Sequence, residues 1–338
     1  MASESRKAGI ERETGERYCT AMSIGRVLIT GASGFVGRGL TAGLAAHAVP
    51  LTLAMRGPAP PTAAGLRYVQ VGEIGSATPW AEALENVGAV VHLAGHVHIA
   101  PEKAEREAAL FDEVNRAGSL RLFEAAAGRG AKLFIFMSSI NVLGTVTQPG
   151  NPFSDATPPD PTTPYARSKY AAERALVEAA ERSDTRLVIL RPPLICGQGV
   201  KGNLARLARL AALPVPLPLG RLENRRTLLS LDNLVSAVTA ILDRGGAAPS
   251  GTYALGDSEP VSTSDIVRAL RAGLGLPPLL MPAPVAALRR GLNAIGAAGA
   301  YARLLGDLEV DSSRFREMFG WSDVTDTLAT LRRSARRG

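Results

Sequence analysis

A chain of 338 residues with 46% hydrophobic and 20% charged side chains has room for one large α/β domain, or a large and a smaller one, each with ample core. Its two cysteines, Cys19 and Cys196, make neither a disulfide framework nor a metal-ligand spacing, and no apolar run approaches the roughly 20 residues that span a bilayer. The net charge of +7 comes mostly from arginine in an Ala- and Arg-rich chain, and with aromatics at 5% and no interleaved basic cluster, nucleic-acid binding has no support.

The first 22 residues carry four basic and four acidic side chains and no apolar signal region, so they are expected to form a disordered extension on a cytoplasmic protein without membrane insertion. From Arg26, short Val/Ile/Leu-rich runs alternate with longer amphipathic stretches. "RVLIT", "LTLAM", "YVQV", "AVVHLAG", "KLFIFMSS" and "RLVILRPP" predict strands, and 35–47, 103–127 and 164–182 are among the predicted helices. Strands apolar on both faces, each followed by a helix, imply a doubly wound, Rossmann-type parallel sheet over 23–192. After Pro192 the pattern loosens into "LAALPVPLPLG" and shorter helices. That predicts a smaller substrate-binding domain over 193–330, with some segments returning to the first, and a frayed basic tail over 331–338.

The first strand runs into "ITGASGFVGRGL", which spaces Gly31, Gly34 and Gly37 as G-x-x-G-x-x-G between a strand and a helix opened by Phe35 and Val36. Glycines there allow a tight turn, a close backbone approach to pyrophosphate, and an anion held by helix N-terminal amides. At the end of the second strand, where NAD binders place a carboxylate, stands Arg56 with no acid in reach, which favours NADP(H) over NAD(H). His92, His96 and His98 would share a face if the fourth strand continued, but Gly95 ends it, and no metal site is expected.

In "PTTPYARSKYAAERALVE", Thr163 suits an N-cap and Pro164 the first helical position, placing Tyr165 and Lys169 one turn apart on the inward face. A cation beside a phenol would lower its pKa toward neutrality and make it a usable acid or base; the bland alternative is a buried tyrosine with a lysine snorkelling past it.

With "TGASGFVG", "HLAG", "MSSINVLG" and "PYARSK" in this order, the chain resembles the extended short-chain dehydrogenase/reductase family from about Ile24 to Trp321. The resemblance implies a catalytic triad of Ser139, Tyr165 and Lys169, with Ser138 the less favoured neighbour of Ser139. It also implies cofactor contacts from Glu73 and Ile74 after the third strand, Leu93, Ala94 and Gly95 after the fourth, and Asn115 in "VNRAGS". "RPPLICGQGVKGN" is similar to the family segment leading to the substrate, with Cys196 and Gln198 replacing the usual aromatic and proline. "NRRTLLSLDNLV" implies Arg225 on the substrate diphosphate, Arg226 as alternate, and Asn203 beside the nucleotide sugar.

Ile140 and Asn141 stand where the family's dehydratases carry an acid pair, which disfavours dehydration. The resemblance to the bacterial branch acting on UDP-N-acetylhexosamines implies a UDP-4-keto-6-deoxy-sugar 4-ketoreductase of surface-polysaccharide synthesis. A 4-epimerase is the runner-up; a dihydroflavonol-type carbonyl reductase and a non-catalytic dinucleotide sensor stand behind both. Relatives also imply a homodimer.

Overall fold

The computed structural model describes residues 24–58, 60, 65–97, 107–200, 202–284, 286, 288, 290 and 306–336. The N-terminal extension, His98, Lys201 and the start of the predicted helix 103–127 lie outside them.

Each predicted strand forms: β1 (Arg26–Thr30), β2 (Leu51–Met55), β3 (Leu66–Gln70), β4 (Val87–His92), β5 (Leu133–Met137) and β6 (Arg186–Arg191). The pairings β3–β2, β2–β1, β1–β4, β4–β5 and β5–β6 are all parallel. With β9 (Gly251–Ala254) beyond β6, the sheet order is β3-β2-β1-β4-β5-β6-β9, as expected for a doubly wound fold. The order reverses between β1 and β4, so the carboxyl ends of these two strands flank the crevice where such sheets receive ligands. On one face, Leu28, Val90, Phe134, Phe136 and Ile189 pack against Leu122, Phe123 and Ala126 of α3 (Gly118–Gly128) and Ala172 and Leu176 of α4 (Pro164–Ala180). Val27 and Ile29 alternate to the other face and are fully buried. Gly43 of α1 (Phe35–Ala46) lies so close to Val235 of α6 (Leu231–Arg244) that a Cβ would sit 2.4 Å from Val235 Cγ1.

Before α3 the helix is not uniform. A short α2 (Ala108–Phe111) passes into a π-helical turn, Asp112–Ala117, that carries Asn115. Sequence periodicity could not separate these, because a π turn shifts the register by only one residue.

The chain divides into two compact units. The first comprises Met1–Ser138, Arg167–Leu190 and Val235–Thr252; the second, Ser139–Ala166, Arg191–Leu234 and Tyr253–Gly338. In the second unit a two-stranded parallel pair, β7 (Ile195–Cys196) and β8 (Leu229–Ser230), accompanies α5 (Gly202–Ala211), α7 (Thr263–Gly273), α8 (Ser313–Phe319) and α9 (Thr327–Ala335). Its core joins Leu204, Leu207, Leu219, Leu228, Ile266, Leu270 and Leu331.

The expected basic tail is corrected here. Residues 331–335 belong to α9, capped by Asp326, which accepts from Ala329 N at 2.7 Å. Leu331 is 1% exposed, because the charged residues occupy only the solvent face of an amphipathic helix. The buried carboxylate of Asp257 locks that helix in place by accepting from Ser230 N and Oγ, Asn233 Nδ2 and Thr327 Oγ1. Burial raises its pKa, and these hydrogen bonds pull it back.

Candidate active site

In the first unit, groups from three loops meet at the carboxyl ends of β1 and β4. Gly31 leaves β1 with φ +69°, a conformation that favours glycine, and a Cβ there would stand 2.9 Å from Ala94 N. At Gly37 a Cβ would fall 2.2 Å from Gly31 O and 2.6 Å from Ala32 Cα, so only glycine lets α1 approach the strand this closely. Gly34 is the N-cap of α1, with no side-chain cap and no acid in the first turn. Phe35 and Val36, half-buried, open the helix. This is an unblocked helix N-terminus behind a backbone cradle that a side chain would fill, and it fits a pyrophosphate. Gly37→Ala should lower the melting temperature and weaken dinucleotide binding together, since the added methyl meets backbone on both sides; a cost of about 1–3 kcal/mol is the usual range for such overpacking. A variant with unchanged melting temperature and affinity would show that the cradle can widen.

A buried hydrogen-bond chain ties this loop to Asn115. Thr30 and His92 are register partners on β1 and β4, so their side chains lie side by side. Ala94 N–H donates to Thr30 Oγ1 at 3.2 Å, and Thr30 Oγ1 lies 2.6 Å from His92 Nδ1. His92 Nε2 lies 2.9 Å from Ser119 Oγ, whose hydroxyl donates to the Asn115 carbonyl at 2.6 Å. Since Ser119 and Thr30 spend their hydrogens on Asn115 O and His92 Nδ1, the imidazole is neutral and carries its proton on Nε2. Burial, then the charge of Lys169, pushes its pKa down to about 3. Both ring nitrogens of His92 are used within the fold. Among the described residues no group of three metal-ligating side chains is present.

Asn115, fully buried, clamps two elements: its Oδ1 accepts from His96 N at 2.7 Å, and its Nδ2 donates to His96 O at 3.1 Å and Ser168 Oγ at 2.9 Å. Beside it, Lys169 Nζ donates to Met137 O at 2.8 Å and lies 4.6 Å from the Phe136 ring centre. A Cβ on Gly95 would be 3.0 Å from Asn115 Oδ1 and 3.3 Å from Lys169 Nζ, so Gly95 is held against both. Burial lowers the Lys169 pKa to about 8, with Glu173 opposing the shift.

Arg56 directly follows β2 at its carboxyl end, as expected, but an acid does reach it. Glu73, from the loop after β3, pairs with it at 3.5 Å, both side chains being largely exposed. This carboxylate comes from the loop after the neighbouring strand, outside the β2 run. Ile74 turns its side chain into the core, and Leu93 and Ala94 are half-buried.

In the second unit Ser139 ends the β5 loop as N-cap of a short 3₁₀ turn, its Oγ accepting from Asn141 N at 3.2 Å. Thr163 caps α4 by accepting from Ala166 N at 3.1 Å, and Pro164 is the first helical residue, as the sequence implies. Tyr165 is half-buried and hydrogen-bonded to Ser139. Desolvation pushes its hydroxyl up to about 12, and the bond to Ser139 pulls the other way. This corrects the expectation of a phenol brought toward neutrality by its lysine: Lys169, one turn along α4, points its ammonium at the Met137 carbonyl, and burial dominates at the tyrosine.

Asn203 is exposed on α5. Arg225 is exposed and holds Glu309 at 2.8 Å through Nε, with its backbone N–H on Asp307 Oδ1 at 2.7 Å; the acidic neighbours raise its pKa further. Arg226 is partly buried and donates to Gly306 O at 2.7 Å. Cys196 is buried, and its thiol is pushed up to about 12 by desolvation, so it is inert.

The NAD dependent epimerase/dehydratase family model matches residues 27–256, a stretch that holds the glycine turn, the Asn115 clamp, Ser139 and the Tyr165/Lys169 helix. The chain belongs to this family. It is similar to the UDP-glucose 4-epimerase of Vibrio cholerae, with 36% identity over 296 residues, covering 87% of this chain and 90% of that protein. It is also similar to the GDP-6-deoxy-D-mannose reductase of Pseudomonas aeruginosa, with 33% identity over 231 residues, 66% of this chain and 72% of that one. Among solved structures, RMD from Pseudomonas aeruginosa complexed with NADPH superposes with a TM-score of 0.68 at 23% identity, covering 92% of this chain and 98% of that one, which shows the shared fold. The epimerase/dehydratase family, part of the extended short-chain dehydrogenases/reductases, is a family of enzymes, and no helix among the described residues is long and apolar enough to cross a membrane.

Proposed function

We propose that the chain reduces the 4-keto group of a nucleotide sugar at the expense of a nicotinamide dinucleotide, with a UDP-4-keto-6-deoxy-N-acetylhexosamine as substrate. The observation that carries this reading is Tyr165, whose hydroxyl is hydrogen-bonded to Ser139 at the start of α4, as a group that passes a proton to a sugar oxygen requires. The similarity to a reductase of a 6-deoxy nucleotide sugar supports the direction of reduction.

The residues present fit the dinucleotide. Gly31, Gly34 and Gly37 with the first amides of α1 would hold the pyrophosphate, Arg56 with the loop at Glu73 and Ile74 the adenosine end, and Leu93–Gly95, Asn115 and Lys169 the nicotinamide ribose. When bound, the nicotinamide supplies the hydride. Tyr165 donates the proton to the sugar oxygen, Ser139 orients that oxygen by hydrogen bonding, and Lys169 brings a positive charge to the ribose. Arg225 and Asn203 would meet the diphosphate and sugar, with Arg225 exchanging Glu309 for phosphate.

Arg56 supports NADP(H), because an exposed pair such as Arg56–Glu73 contributes only about 0–1 kcal/mol and yields readily to a phosphate. Arg56→Asp should weaken NADP(H) binding roughly tenfold and leave NAD(H) unchanged, while Glu73→Gln should strengthen NADP(H). Equal affinities for both cofactors in all three proteins reject the assignment.

A second reading, carbon-4 epimerisation of a UDP-sugar, is favoured by the similarity to the Vibrio cholerae enzyme. Purified protein with reduced dinucleotide and a UDP-4-keto-6-deoxy-N-acetylhexosamine separates the two. Stoichiometric loss of the reduced-nicotinamide absorbance supports the reductase; interconversion of UDP-sugars without net loss supports the epimerase; neither reaction sinks both.

A further inference from the structure

In the second unit, Leu210, Leu213 and Val215, at the end of α5 and in the loop after it, are 37%, 46% and 47% exposed. Leu274, Leu279 and Met281, which follow α7, are 39%, 41% and 49% exposed. These two segments are stitched together. Leu217 N donates to Leu279 O at 3.0 Å and Met281 N to Leu217 O at 2.8 Å. Beneath them the fully buried guanidinium of Arg271 donates to Ala211 O and Leu213 O on one segment and to Pro277 O on the other. The apolar patch is therefore fixed by its own backbone and turned outward.

Arginine predominates around it, with the exposed Glu223 and the Asp265–Arg268 pair at its margin. No Asp or Glu occurs from 185 to 222 or from 266 to 306, although 31 acids over 338 residues would place about three or four in each stretch. Arg206 and Arg209 are exposed on α5 within a turn of Leu210, and exposed Arg221 follows Gly220, whose N–H donates to Met281 O at 2.9 Å, so arginines border both segments as a basic rim. Contiguous exposed apolar side chains mark an interaction surface. A second copy would bring two basic rims together, which is repulsive. An anionic bilayer matches both features, leucines and methionine entering the acyl boundary while arginines meet lipid phosphates.

We propose that this face docks the protein peripherally on an anionic lipid surface. The inference goes beyond the nucleotide-sugar reading and rests on different residues, so either can fail alone.

The test is co-sedimentation of the full chain with vesicles of phosphatidylcholine alone and of phosphatidylcholine with phosphatidylglycerol, at low and high salt. Binding is expected only to the anionic vesicles, weaker at high salt. Leu213→Glu with Met281→Glu, and separately Arg206→Ser with Arg209→Ser, should each weaken it roughly tenfold or more while circular dichroism and dinucleotide affinity stay unchanged. Failure to bind anionic vesicles, equal binding to neutral ones, or binding untouched by the Leu213/Met281 variant would each overturn the proposal. So would loss of self-association in that variant when the parent protein ignores lipid, which would assign the face to a second copy.

Discussion

Tyr165→Phe is expected to cut kcat by about 10²- to 10⁴-fold, the usual worth of a positioned proton donor, with substrate and dinucleotide affinities nearly unchanged. The helix that carries the residue does not depend on its hydroxyl. Thr163 caps it at Ala166 N, and Ala166, Ala172 and Leu176 bury its inner face. Stopped-flow single turnovers separate binding from chemistry, and a variant that turns over at the parental rate would place the proton donor elsewhere. The pH profile carries a second sign. With Tyr165 pushed up to about 12 and Lys169 down to about 8, the phenol remains protonated while the ammonium loses its charge first. Activity should therefore fall on the alkaline side from about pH 8, and Lys169→Arg, always charged, should move that limb upward even if it lowers the plateau.

Between pH 7 and pH 5 the fold should lose stability through His92, above the range in which Asp112, Glu113 and Asp265, held low by their hydrogen bonds, begin to contribute. His92 holds its neutral form until about pH 3 in the fold, whereas an unfolded histidine takes up a proton near 6.5. Stability from this residue is complete above pH 6.5 and drains away as pH falls toward 3, because protons are bound by the unfolded chain and not by the native one. At about 1.4 kcal/mol per pH unit the whole window is worth about 5 kcal/mol, and about 2 kcal/mol should be lost between pH 7 and pH 5. Urea titrations at those two values check this. His92→Gln keeps a donor and an acceptor but does not titrate, so it should be less stable at pH 7 yet lose about 2 kcal/mol less on acidification. An equal loss in both proteins would mean that the ring is reached by water and protonates in place. The same variant should loosen the Ala94 and Asn115 ends of the chain, read as weaker dinucleotide binding at neutral pH.

How far the site could be read in advance depends on how local its physics is. The turn from β1 to α1 is a short-range object: three glycines at fixed spacing, forced by a left-handed φ at Gly31 and a sub-van-der-Waals approach at Gly37, are visible as letters. The cap at Thr163 and the four-residue spacing of Tyr165 and Lys169 are equally local, as is the alternation of buried strands with helices that specifies a parallel sheet. These features the amino-acid order determines by itself, since each follows from backbone sterics or helical period within a few residues.

The electrostatics lay beyond that reach. Arg56 meets Glu73 only because β2 and β3 are neighbours in the sheet, and His92 becomes a neutral relay only because Thr30 stands beside it and Ser119 beneath it. One helical turn apart, Tyr165 and Lys169 were expected to tune each other. Packing instead gave the lysine a carbonyl at Met137 and left the phenol to desolvation, so its acidity moved the opposite way. The docking of α9 was hidden for the same reason: a run of arginines looks like a tail until Asp257 and the core at Leu331 claim its other face. Charge and burial sum over everything within several ångströms, whatever its distance along the chain. The tertiary structure alone therefore decided which groups are charged, which are neutral and which surface remains uncovered.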